Sequence, residues 1–180
     1  MRRRVGVEDY FDAGLKLLVA QGPGGIKVGA LCAALGVTTG SFYGYFGSLD
    51  DFVARLLSSR LSHPNRRLLE LANSDAPPES LLAGLRELLD AVPHDTETAL
   101  RALASSRATA AALQRRLDKE RGAALASILY KIVPADDCGR LADVGMALLI
   151  GYQQLYSGGG AAARDSLFEE FATMVHVYQM

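Results

Sequence analysis

The chain has 180 residues, 49 % hydrophobic and 22 % charged, with a formal net charge of −1, which excludes a disordered chain and fits one or two small domains with a real core. No apolar run reaches the ~18–20 residues needed to span a bilayer, and Glu8, Asp9 and Asp12 interrupt the stretch that would follow Met1-Arg2-Arg3-Arg4 in a signal peptide, so a cytoplasmic protein without a membrane partner is expected. Charge is uneven: residues 1–62 carry seven Lys/Arg against five Asp/Glu, the remainder twelve against fifteen, a mildly positive head on a negative body.

Apolar residues recur at helical spacing throughout, so the expected fold is all-α, with about nine helices. The first helix is expected over Val5–Gln21, with Val7, Phe11, Leu15 and Leu18 in one stripe and Glu8, Asp12 and Lys16 off it. Gly22-Pro23-Gly24-Gly25 stops it, since glycine and proline break helices. A short second helix over Val28–Leu35 turns Val28, Leu31, Cys32 and Leu35 inward and ends at Gly36, which suits a left-handed cap. Thr38 caps a third helix over Thr39–Tyr43. Ser48-Leu49-Asp50-Asp51 resembles a capping box with Asp in place of Glu and opens a fourth helix, with Leu49, Phe52, Val53, Leu56 and Leu57 inward. His63-Pro64-Asn65 is expected to kink or end that helix. A polar loop follows over 73–78, and later helices are expected over 79–92, 96–106, 108–132, 137–157 and 163–179, with Pro93, Pro134 and Gly158-Gly159-Gly160 as breaks.

Two short helices separated by Gly36-Val37, with one helix before and a long one after, match a helix-turn-helix in a three-helix core. The second helix of such a pair enters the major groove of DNA. Its outward residues here are Thr39, Gly40, Ser41 and Tyr43, while Phe42 and Phe46 anchor it from below. The run Leu31-Cys32-Ala33-Ala34-Leu35-Gly36-Val37-Thr38-Thr39-Gly40-Ser41-Phe42-Tyr43-Gly44-Tyr45-Phe46 resembles the signature of the tetracycline-repressor (TetR/AcrR) family. The resemblance covers about residues 7–57. It implies a homodimer, a roughly palindromic operator in double-stranded DNA, and release when a small-molecule effector binds. It puts Thr38, Ser41, Tyr43 and Tyr45 at positions that contact phosphates, and Thr39 and Gly40 where the helix approaches bases. Hydroxyls and a helix N-terminus hold phosphate oxygens without reading sequence, and Gly40 permits close approach of the backbone.

Three positions depart from the family pattern. Lys27 stands near where the family often has Thr and offers a charged contact instead. Cys32 replaces a usual alanine. Ser48-Leu49-Asp50 replaces Ser-Lys-Glu and removes a phosphate-seeking lysine, so modest affinity is expected, leaning on Lys27 and Arg2, Arg3 and Arg4. Those arginines suit either a DNA-following arm or a solubilising tail. Tyr45 suits core packing and phosphate contact equally; Arg55 and Arg60 are expected to be solvated or ion-paired.

The DNA-binding domain is expected over 1–48 and the ligand-binding and dimerisation domain over 49–180, with helix 49–62 linking them. Five later helices are enough to enclose a cavity. Leu141, Val144, Gly145, Leu148, Tyr152 and Leu155 stripe one helix, and Phe168, Phe171, Val175 and Tyr178 stripe the last. By the resemblance, helices 137–157 and 163–179 pair with their symmetry mates, Gly145 and Gly151 allowing close approach; the same stripes also fit an intrachain core. Tyr130, Tyr152, Gln153 and Tyr156 are the candidate ligand-binding residues, combining apolar surface with hydrogen-bonding tips. Few charges are expected to point inward, which favours a neutral or lipophilic effector.

No enzyme motif is found. His63, His94 and His176 are scattered, and neither a nucleophile elbow nor a phosphate-binding loop occurs. Cys32 and Cys138 lack metal-ligand spacing and are expected to be buried thiols. No catalysis, cofactor or metal is therefore expected. The competing reading is a chain with this fold that acts through protein partners, suggested by Leu49-Asp50-Asp51 and the low net charge. In the repressor reading, a ligand that tilts the fourth helix alters the spacing of two recognition helices that must meet half-sites ~34–36 Å apart.

Overall fold

Nine α-helices follow one another in the computed structural model, which describes residues 5–156 and 160–179; Arg2–Arg4 and the Gly158-Gly159 break lie outside the described residues. The helices are α1 (Val7–Gln21), α2 (Val28–Leu35), α3 (Thr39–Tyr43), α4 (Leu49–Ala72), α5 (Pro78–Ala91), α6 (His94–Ser105), α7 (Ala108–Leu129), α8 (Ala135–Leu155) and α9 (Ala161–Gln179), with a 3₁₀ turn at Pro23–Gly25. None of them is long and apolar enough to cross a membrane.

The expected ends lie within three residues of these bounds except at α4, which does not stop at Pro64 but runs on to Ala72. Proline removes one backbone hydrogen bond and costs about 3 kcal/mol in a helix interior. Leu61, Asn65, Leu68 and Ala72 recur at spacings of four, three and four and are all buried. Burial of that stripe offsets the missing bond, and the helix continues through the proline.

The chain divides into two compact units. One comprises the residues up to Arg60 together with Thr96–Arg115; the other comprises Leu61–Asp95 and the residues from Arg116 onward. The division cuts α4 at Arg60 rather than at residue 48, because Phe52, Val53, Leu56 and Leu57 are fully buried and α6 contributes buried Leu100 and Leu103 to the same unit.

The first unit is built around aromatic rings. Tyr10, Phe42, Phe46 and Phe52 are almost fully buried, and their rings meet edge-on or tilted at centroid distances of 5.0–5.9 Å, the geometry aromatic quadrupoles prefer. Tyr10, absent from the expected α1 stripe, is its most buried member. Local chemistry sets the helix ends. Gly36 sits at φ 65°, ψ 36°, and Gly36 N–H and Val37 N–H donate to the carbonyls of Ala33 and Cys32 at 3.2 and 3.0 Å, closing α2 in a Schellman turn. Ser48 Oγ accepts from Asp51 N–H at 3.0 Å while the Asp51 carboxylate accepts from Gly47 N–H at 3.0 Å, one residue earlier than a full capping box would reach.

The second unit packs the C-terminal part of α4 with α5, α8, α9 and most of α7 around Leu81, Ile128, Leu129, Leu141, Phe171 and Val175. Leu148, Phe168, Met174 and Tyr178 pack against this core, so most of the α8 and α9 stripes are intrachain. Gly145 belongs to it too: a Cβ there would lie 2.9 Å from Leu125 and 3.0 Å from Phe171. Its expected role at a symmetry contact is corrected accordingly; it makes room within its own chain. Buried Asn65 accepts from Arg121 Nε–H at 2.9 Å and donates to the Leu117 carbonyl at 3.0 Å, meeting the hydrogen-bonding demand of polar groups in a core. Lys131 Nζ donates to the carbonyls of Ala72 and Ser74 at 2.6 Å each, a charged cap on the end of α4.

Candidate nucleic-acid interface and cavity

The outward surface of α3 is formed by small and hydroxylated residues. Lys27, Thr38, Thr39, Gly40 and Tyr43 are exposed, Tyr43 at 58 %. Phe42 and Phe46 are buried beneath them, and the Tyr43 ring leans edge-on against Phe42 at 5.3 Å. Ser41 and Tyr45 are half-buried. Thr38 Oγ1 accepts from Ser41 N–H at 3.3 Å, as expected of a cap.

Ser41 Oγ accepts from the Tyr10 hydroxyl at 3.1 Å. A hydroxyl that accepts still has its own proton to give, so Thr38 and Ser41 keep donors suited to a phosphate oxygen while fixing the helix from within. The Tyr45 hydroxyl instead donates to the Val5 carbonyl at 2.7 Å. Its tip is engaged inside the fold, which favours packing for this residue.

Every acid of residues 5–60 has a partner. Arg60 meets Glu8 at 3.1 Å and Asp12 at 2.8 Å, Asp9 accepts from Gly6 N–H at 2.8 Å, and Asp51 caps α4. Asp50 is ion-paired with Arg107. Arg55 donates to the Tyr45 carbonyl at 2.6 Å and lies 4.8 Å from the Phe46 ring centroid, so both it and Arg60 serve the fold. Cys32 is buried, and burial pushes its thiol up from the ordinary range.

The second unit contains a cavity of about 270 Å³ lined from α4, α5, α7, α8 and α9. Its walls are largely Leu, with Met146, Phe168 and Phe171. Of the four residues expected to bind a ligand, Tyr152 lines it; Gln153 is buried beside it, its amide Nε2 3.5 Å from His94 Nδ1. Tyr130 is 67 % exposed and Tyr156 44 % exposed, and neither belongs to the lining. His94 stacks edge-on against Tyr152 at 5.0 Å, its Nε2 2.9 Å from the Leu89 carbonyl, and so holds that tyrosine in place. The expectation that few charges point inward is corrected: Arg67, Arg121 and Arg164 all reach the cavity. No periodicity marked them, because an arginine's aliphatic stem lies along apolar surface as readily as it faces water.

Two short helices, α2 and α3, on a packed aromatic core have the arrangement of a helix-turn-helix, and a cavity-bearing helical unit follows them in the chain. Residues 11–56 match the family model described as bacterial regulatory proteins, tetR family. Solved structures agree in fold over nearly the whole length. A transcriptional regulator from Rhodococcus superposes with a TM-score of 0.79 at 17 % identity, covering 98 % of this chain and 99 % of its own. A regulator from Saccharomonospora viridis in complex with choline gives 0.76 at 14 % identity, over 94 % and 95 %. The ketosteroid transcriptional regulator of Mycobacterium tuberculosis gives 0.70 at 17 % identity, over 97 % and 95 %. No curated protein matches the sequence. Residues 11–56 are thus similar to the TetR family, whose members are transcription regulators, and the solved structures share the fold of the chain as a whole.

Proposed function

We propose that this protein is a cytoplasmic, homodimeric repressor that binds a palindromic operator and is released by a small, mostly apolar effector. The observation that carries this reading is the exposed face of α3, with Thr38, Thr39, Gly40, Ser41 and Tyr43 over buried Phe42 and Phe46, in a chain that also holds an apolar cavity. Lys27 adds a charged phosphate contact. Action through protein partners rested on Leu49-Asp50-Asp51 and the low net charge; of these, Asp50 is ion-paired with Arg107 and Asp51 caps α4, so both acids are used within the fold.

The dimer forms through the outward faces of α8 and α9. On α8 that face is Val144, Ala147, Gly151 and Leu155, at spacings of three, four and four. Leu155 is 78 % exposed, and a Cβ on Gly151 would meet nothing within 4 Å in its own chain. On α9 it includes Val177, 58 % exposed. Covering such residues is the ordinary use of an apolar helix face. Leu155→Glu should therefore convert dimer to monomer in sedimentation velocity.

Gel shifts on the DNA upstream of the chain's own gene, repeated over a range of salt concentrations, test the main reading. Specific, salt-sensitive binding that Tyr43→Ala weakens, without lowering the melting temperature, is expected. A folded dimer that ignores this DNA at low salt would refute it.

A further inference from the structure

We propose that the cavity is built for a small organic anion, an apolar body bearing one carboxylate, with Arg67 receiving the carboxylate. The inference rests on reading this cavity as the effector site, and adds the chemical class of the effector.

The charged side chains that reach the cavity are all basic. Arg67, Arg121 and Arg164 line it with His63, and no Asp or Glu does. Two of these arginines have defined partners. Arg164 meets Asp90 at 3.1 Å and Asp165 at 3.2 Å. Arg121 is buried and gives Nε–H to Asn65 at 2.9 Å.

Arg67 is different. It is half-buried, and among the described residues it makes no hydrogen bond or ion pair, whereas its exposed neighbour Arg66 pairs with Glu70 at 3.8 Å. A guanidinium cannot shed its proton, and the Arg67 nitrogens are not among the polar atoms sealed in the fold without a partner, so an oxyanion that enters the cavity finds an uncommitted donor fork at its wall. A carboxylate matches its fork in bidentate fashion. His63, one helical turn earlier on α4, also lines the cavity.

The rest of the cavity restricts the body of the ligand. Leu85, Leu88, Leu125, Leu149, Leu167 and Phe168 offer apolar contact, which suits an alkyl chain or one aromatic ring and not a sugar or a nucleotide. The volume of about 270 Å³ lies at the lower edge of the ~300–1,000 Å³ typical of ligand sites, so the body is small. A cationic ligand would meet like charge. A neutral one would leave Arg67 without its counter-charge.

The test is calorimetric titration of the full chain with octanoate, 1-octanol and octylamine, which share a body and differ in the head group. Wild type should bind octanoate roughly tenfold more tightly than 1-octanol and bind octylammonium least. Arg67→Gln should abolish the octanoate preference while leaving octanol affinity and melting temperature unchanged, and Arg67→Lys should restore part of it. Octanol binding as tightly as octanoate, a preference that survives Arg67→Gln, or no binding at millimolar concentration by any carboxylate of six to ten carbons would overturn the proposal. Operator release is scored separately by gel shift. Arg67-dependent octanoate binding without release keeps the ligand class and removes the effector role. Release by octanol or octylamine in preference to octanoate removes the ligand class and keeps the effector role.

Discussion

Tyr10 shows how one side chain serves both the core and the exposed helix α3. Its ring is fully buried among Phe42, Tyr45 and Phe46, and its hydroxyl reaches Ser41 on α3. Tyr10→Phe keeps the ring and removes one partly buried hydrogen bond, so a loss of about 1 kcal/mol is expected in urea unfolding. The loss should shrink in a Ser41→Ala background, where the bond is already gone. The two cysteines give a pH prediction. Burial raises both thiols, and for Cys138 the nearby charges of Asp136 and Asp137 add to it, opposed by backbone hydrogen bonding. A thiol whose folded pKa is raised stays protonated in the native state while the unfolded chain ionises. Stability is then fully present below the unfolded value of about 8.5 and falls as pH rises beyond it. Between pH 8 and 10 the urea midpoint of wild type should fall further than that of the Cys32→Ala/Cys138→Ala variant, and neither native thiol should react quickly with iodoacetamide.

At the scale of the elements, the start of α4 is where sequence and structure differ most usefully. Leu49-Asp50-Asp51 reads as a segment hostile to phosphate, yet Asp50 is held by Arg107 and Asp51 by the Gly47 amide. Arg107→Ala should free the Asp50 carboxylate and weaken DNA binding several-fold at low salt, and adding Asp50→Asn should restore it; a single-variant affinity equal to wild type would deny the ion pair any role. The partner was illegible in the sequence because 57 residues separate the pair, and nothing local marks Arg107 among the other arginines. Local signals carried well. The spacing of apolar residues located the helices, Gly36 marked the end of α2, and Thr38 marked the start of α3. Where a local signal met long-range packing it lost, as at Pro64, where the buried stripe from Leu61 to Ala72 holds α4 together. The exposed face of α3 was legible because its residues are contiguous. The cavity was not, since its lining is drawn from five helices, and of the tyrosines chosen by chemical character only Tyr152 reaches it.

For the molecule as a whole, the repressor reading makes a demand that does not depend on how motion is transmitted. If effector and operator exclude one another, the factor by which effector weakens operator binding must equal the factor by which operator weakens effector binding. A typical coupling of 1–3 kcal/mol corresponds to about 5–150-fold. Octanoate affinity measured by calorimetry on the free chain and on the chain saturated with operator should therefore differ by the same ratio that gel shifts give for operator affinity with and without octanoate. Arg67→Gln should lower octanoate affinity in both states together and leave operator affinity in the absence of octanoate unchanged, because Arg67 belongs to the cavity and lies in the second unit. Tyr43→Ala should do the reverse, lowering operator affinity and leaving octanoate binding to the free chain intact. A Tyr43 variant that changes the cavity's affinity, or an Arg67 variant that changes bare operator affinity, would show that the substitution itself shifts the balance of states that couples the two sites.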